Sequence, residues 1–187
     1  MEKKNKLSDR GVTPRSIVLD GVSVAMAVCG GIGSVEVVKI IREFRRHGAR
    51  VTVFVTPTVS RFVTHLSLEW AAESAVIVEV GAEVDHLNRY DLVVVVPATL
   101  NTIAKVAAGL CDNAVTLLLA SQFGQRGKVL FVPAMNHVLK NHPLYAEEVK
   151  RLKSWGAEFL ESVEEEARLK VPDRAVVVQA AISLLES

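Results

Sequence analysis

Residues 91–102 read DLVVVVPATLNT. Five consecutive apolar residues, Leu92 to Val96, end at a proline, and threonine and asparagine follow at once. A strand with one face in water alternates apolar and polar residues. A run that is apolar throughout is buried on both faces, as in a parallel sheet covered by helices. Working outward, VSVAMAV (22–28), RVTVFV (50–55), AVIVEV (75–80) and KVLFVP (128–133) read as further strands, and AEFL (157–160) as an edge strand. Helical patterns separate them. Residues 34–46 place Val35, Val38, Ile40, Ile41 and Phe44 on one face, and His47-Gly48 ends the helix. Residues 59–72 read as a helix, 101–109 and 113–121 as two broken at Gly109, and 144–155 as one closed by Gly156. Residues 172–186 form a last helix with Pro172 in its first turn. Connections this long join parallel strands. The expected fold is α/β: a Rossmann-like doubly wound parallel sheet with helices on both faces.

The chain has 187 residues, which at roughly 150 residues per domain predicts one domain. Residues 1–18 read as a flexible tail and 19–187 as the folded domain. Lys plus Arg is 22 and Asp plus Glu 21, a net charge of +1, which argues against nucleic acid as a partner. The apolar runs are too short to span a bilayer and the first residues are polar, so no membrane role and a cytoplasmic location are expected. Cys29 and Cys111 fit no zinc spacing, nor do His137 and His142, and no metal site is expected.

In such folds ligands bind beyond the carboxyl ends of the strands. Four strands end in residues suited to a ligand: Gly30-Gly31-Ile32-Gly33-Ser34, Thr56-Pro57-Thr58, Pro97-Ala98-Thr99-Leu100-Asn101-Thr102, and Pro133-Ala134-Met135-Asn136-His137. The glycines open a helix, where backbone N–H groups suit a phosphate; a plain tight turn accounts for them equally. They are not a dinucleotide fingerprint, because Glu36 stands where its last glycine belongs and no acidic residue ends the second strand. A P-loop is absent as well. A mononucleotide phosphate held by hydroxyls and amides fits better. Thr99 and Asn101 are both candidate helix caps, but one helix needs one cap, and the surplus polarity points to a ligand edge. Met135 suits either the core or a flat aromatic ligand. His86, before the strongest strand, reads as a general base or as an exposed loop histidine.

These residues resemble the homo-oligomeric flavin-containing cysteine decarboxylases over roughly Leu19 to Leu185. The family's P-A-S-A-N-T motif is matched by PATLNT (97–102), and its P-x-M-N-x-x-M-W motif by PAMNHVLK (133–140), with Leu139 and Lys140 in place of Met and Trp. VCGGIGSVEVVKIIREFRRHGARVTVFVT (28–56) resembles the flavin-phosphate segment. The resemblance implies FMN, with Gly30, Gly31 and Ile32 beside its phosphate or ribityl chain and Thr56 and Thr58 at the phosphate. Pro97, Ala98, Thr99, Leu100, Asn101, Thr102 and Met135 would lie along the flavin and substrate. It implies decarboxylation of a cysteinyl or related carboxylate, small molecule or peptide, with His86 as base and Asn136 as carboxylate anchor. A homo-oligomer, a trimer or a multiple of trimers, is implied too.

Departures open two other readings. The family histidine stands eight residues before the aspartate that begins the strong strand; here that position is Glu83, and His86 is five before Asp91. The stretch ESVEEEARLKVPD (161–173) lacks the family's cysteine-bearing, glycine-rich flap, and Glu164–Glu166 reads as a solvated face. One alternative is an FMN redox protein drawing electrons from a donor such as ferredoxin; the other is a non-catalytic FMN-binding subunit. The flavin prenyltransferases fit no better, since Asn101 replaces their lysine and PAMN their arginine-bearing segment.

Overall fold

The structure is a computed structural model describing residues 9–79, 87–160 and 162–187. Its centre is a six-stranded, wholly parallel sheet in the order β3-β2-β1-β4-β5-β7, formed by Ser23–Val28 (β1), Arg50–Val55 (β2), Val76–Ile77 (β3), Leu92–Ala98 (β4), Lys128–Pro133 (β5) and Ala157–Phe159 (β7). The order reverses between β1 and β4, which makes that gap the topological switch point. In β4, Leu92, Val94 and Val96 pack on one face and Val93 and Val95 on the other, all fully buried. Burial of each such side chain contributes about 1.5–3 kcal/mol. The first face is covered by Val37–Arg46 (α1), His65–Ala72 (α2) and Arg174–Glu186 (α7), the second by Leu100–Ala107 (α3), Ala114–Gly124 (α4) and Pro143–Ser154 (α6). Among the described residues no helix is long and apolar enough to cross a membrane.

Several boundaries differ from the sequence reading, each for a local reason. Residues 32–36 form a 3₁₀ turn before α1, so the helical phase starts late: Val37 faces the core and Val35 is exposed. The 59–72 helix divides, because Thr64 takes an extended conformation and its hydroxyl caps α2 by accepting from Ser67 N. The 75–80 strand pairs with β2 only through Val76 and Ile77, and Val80 lies outside the described residues. Pro97 does not end its strand: β4 runs on to Ala98, with a register shift after Val95 against β5. Pro172 precedes the cap of α7, which is Asp173, accepting from Ala175 N.

Two segments depart further. The expected tail is tied down within its described part. Arg15 N donates to Arg46 O (2.7 Å), Arg42 and Arg45 donate to Arg10 O, and Leu19 is buried. Glu43, 1% exposed, pairs with Arg15, with Arg46 (2.9 Å) and with Arg174 (3.3 Å), joining that segment to α1 and α7. The stretch read as flapless and solvated folds into a hairpin, Val163–Glu165 (β8) and Arg168–Lys170 (β9). Glu166 and Ala167 turn it, both at positive φ (52° and 56°). The hairpin pairs through β9 with Met135–Asn136 (β6), making a second, three-stranded sheet. Strand alternation was masked there by charge: only Leu169 of the hairpin is buried.

Candidate functional site

All four strand ends meet in one cleft of about 820 Å³ at the switch point. Gly30, Gly31 and Ile32 line it from β1, Thr56 and Thr58 from β2, Thr99 to Thr102 from the start of α3, and Met135 and Asn136 from β6. Pro97 and Ala98 do not line it. Both are buried, and Pro97 lies against the glycine turn, where it would meet a Cβ at Gly33 at 3.3 Å. His86 lies outside the described residues.

The glycine turn is pinned from below. Gly30 N donates to Thr56 Oγ1 (2.9 Å), so the threonine hydroxyl keeps its own proton to give elsewhere. The buried Ser34 Oγ sits 2.8 Å from Cys29 O and 2.6 Å from Gly31 O and accepts from Gly31 N at 3.3 Å. Gly30 admits no side chain: a Cβ there would lie 2.1 Å from Thr58 Oγ1. Gly31 is different, because its nearest neighbour to such a Cβ is Thr99 Cγ2 at 3.6 Å, within the cleft. Its Cα face is therefore open to a ligand, although its N–H is engaged by Ser34 Oγ.

The polar surplus after β4 resolves residue by residue. Thr99 is the cap of α3, accepting from Thr102 N (3.3 Å), and the two hydroxyls are 3.2 Å apart. Asn101 is exposed and its amide has no hydrogen-bond partner among the described residues, which leaves it for a ligand. Asn136 caps the short helix His137–Lys140 (α5): Oδ1 accepts from Leu139 N (2.9 Å) and the Nδ2 donor stays free. Lys105 and Asp112, on the opposite lining, pair with each other, and that hydrogen bond holds the Asp112 carboxyl below its usual range. Behind the cleft, burial pushes the Cys29 thiol up to about 11, against weaker opposing contacts from Thr102 and Thr99. It is a protonated packing group. Cys111 is exposed and lines a smaller adjoining cavity.

Sequence reasoning gave no site role to three lining features: the Lys105–Asp112 pair, His142 and the apolar Leu139 and Leu144. The pair stands in the segment after PATLNT, where a seven-residue separation across Gly109 gave no helical signal. His142 is the cap of α6, and the His-Pro dipeptide at a helix start was its available sign.

Residues 14–186 match the family model described as Flavoprotein. The chain belongs to the flavoprotein family. It is 33% identical over 178 residues to the coenzyme A biosynthesis bifunctional protein CoaBC of Thermococcus kodakarensis, covering 91% of this chain and 44% of the relative. The corresponding protein of Methanocaldococcus jannaschii is 28% identical over 172 residues, 90% of this chain and 42% of the relative. The chain thus spans less than half the length of these curated relatives. Among solved structures, a PPC decarboxylase mutant complexed with pantothenoylaminoethenethiol superposes with a TM-score of 0.79 at 21% identity, over 89% of this chain and 99% of that one. The FMN-dependent cysteine decarboxylase TvaF from thioviridamide biosynthesis gives 0.73 at 26% identity, over 89% and 99%. The strand order and helix layers above are those of this flavoprotein fold.

Proposed function

We propose that this flavoprotein binds FMN in the switch-point cleft and decarboxylates a cysteinyl carboxylate, with phosphopantothenoylcysteine as the first substrate to test. One observation carries the reading. Four separate strand ends bring together a side-chain-free backbone face at Gly31, a threonine hydroxyl at Thr56 with its proton to give, and two asparagine amides at Asn101 and Asn136. The residues fit FMN: phosphate needs hydrogen-bond donors without a free carboxylate beside them, and the one acidic side chain lining the cleft among the described residues, Asp112, is already paired to Lys105.

Bound FMN would supply the two-electron oxidation of the substrate thiol to a thioaldehyde, which can accept the electron pair left behind by carbon dioxide. The chain's own residues then have distinct tasks. Thr56 gives its hydroxyl proton to the phosphate end, and Gly30 and Gly31, without side chains, let that end approach the backbone, with Thr58 and Ile32 beside it. Asn101 orients the reacting edge, Thr99 and Thr102 fix the turn that carries it, and Leu100 and Met135 exclude water. Asn136 Nδ2 donates to the substrate carboxylate. His86 takes the substrate proton; loss of a positioned base costs about 10²–10⁴ in rate.

A second reading is electron transfer from a donor such as ferredoxin to an acceptor. It draws on the absence of any thiol lining the cleft among the described residues. A homo-oligomer, trimer or multiple, belongs to either reading, and the exposed Ile32 and Val35 beside the glycine turn offer apolar surface for it. The test is anaerobic incubation of FMN-loaded protein with phosphopantothenoylcysteine, measuring carbon dioxide. Stoichiometric release that Asn136→Ala abolishes supports decarboxylation. No release, together with flavin reduction by reduced ferredoxin, replaces it with the second reading.

A further inference from the structure

The cleft carries a donor that none of the roles above uses. His142, an exposed residue, lines it and caps α6 through Nδ1, which accepts from Leu144 N at 3.2 Å. A backbone amide only donates, so this bond requires a lone pair on Nδ1 and places the ring hydrogen on Nε2. Asn136 is built alike: its cap consumes the acceptor Oδ1 and leaves the donor Nδ2. The two residues bracket the single turn of α5, each capping one helix, and both line the same cleft. Capping thus turns each amphoteric side chain into a one-way donor. Asp112 is held by Lys105 and by Asn113 Nδ2 (2.9 Å), so it does not compete for them.

We propose that His142 is a substrate-binding residue: with Asn136 it forms a two-donor clamp, Nε2–H and Nδ2–H, for the carboxylate of the substrate. The clamp rests on the carboxylate-anchoring role given to Asn136 above. It selects substrates that present a carboxylate at the α5 wall and disfavours the corresponding carboxylate-free thiols, whose acceptor is gone.

The test separates capping from binding. Ser is among the best helix caps, so His142→Ser keeps an acceptor for Leu144 N, and its short hydroxyl does not reach the position of the Nε2 donor. FMN-loaded protein labelled with ¹⁵N-histidine is titrated with N-acetylcysteine and with N-acetylcysteamine, its carboxylate-free counterpart. The His142 signals are assigned by their loss in His142→Ser. The expected result is an Nε2 signal that moves with the carboxylate probe and not with its carboxylate-free counterpart. Binding of the carboxylate probe to His142→Ser should be about tenfold weaker, with FMN uptake and melting temperature unchanged. An unmoved signal with full-strength binding to His142→Ser overturns the proposal, leaving His142 as a cap alone. Equal binding of both probes to the native protein overturns it too. A moving signal in a protein that releases no carbon dioxide from phosphopantothenoylcysteine supports the clamp while removing the decarboxylase reading.

Discussion

Gly30 and Gly31 are adjacent, yet alanine should act on them in opposite ways. At Gly30 the new methyl would lie 2.1 Å from Thr58 Oγ1, 2.8 Å from its Cβ and 2.9 Å from its carbonyl carbon. Backbone is among those atoms, so no change of rotamer relieves the clash and the Thr58 segment must move. Overpacking of this kind costs about 1–3 kcal/mol. For a chain of this length about 2 kcal/mol lowers the melting temperature by roughly 4–8 °C. The displacement also strains the Gly30 N to Thr56 Oγ1 bond of 2.9 Å. At Gly31 the nearest atom is 3.6 Å away, an ordinary contact, and its φ of −173° is extended backbone that alanine adopts freely. Gly31→Ala should therefore melt like the native protein. Its methyl occupies cleft space and should weaken FMN by about tenfold, or ~1.4 kcal/mol. Thermal melts of the flavin-free proteins and fluorescence titration with FMN measure both. A Gly30→Ala protein with native melting and native FMN affinity would refute the packing argument, and a Gly31→Ala protein with native affinity would refute the placement of the ligand.

Thr99→Ala removes a helix cap and should cost about 1 kcal/mol, whereas Asn101→Ala should leave the melt unchanged and slow turnover; urea titration beside a carbon dioxide assay distinguishes them. Burial holds the Cys29 thiol at about 11 against an ordinary 9.0. Because the folded value is raised, its contribution to stability is complete below about pH 9 and is lost as the pH climbs towards 11. The size is about 2–3 kcal/mol, and melts from pH 8 to 11 should fall less steeply in Cys29→Ala. Native protein at pH 8 should accept one alkylating group per chain, at Cys111, as mass spectrometry would count. Glu43→Gln strips a buried carboxylate from three arginines. Arg15 and Arg174 are 52% and 37% exposed, so the cost should sit near 3 kcal/mol, the low end for a broken buried pair. Limited proteolysis should then cut the 10–18 segment first.

The parallel sheet was legible because β4 is apolar at every position and β1 at every position after Ser23, a pattern that excludes a half-exposed sheet. The meeting of the glycine, threonine, PATLNT and PAMN segments followed from that topology alone. What stayed hidden was local. The 3₁₀ turn before α1 delayed the helix, leaving Val35 out and Val37 in, while Ile40, Ile41 and Phe44 kept the buried face expected from the sequence pattern. The β8–β9 hairpin is short and almost wholly charged, and its pairing to Met135–Asn136 is a long-range contact that no local pattern encodes. Capping assignments were ambiguous for the same reason: Thr99 and Asn101 have similar chemistry, and only their positions show that one is used and the other free.

The central claim is that the cleft is an FMN site, and its most direct measurement is the flavin content of the purified protein after incubation with FMN. One FMN per chain is expected, identified by the mass of the released cofactor, with uptake diminished in Gly31→Ala. A colourless native protein that takes up no FMN would contradict the claim, and both the decarboxylase and the electron-transfer readings would fall with it.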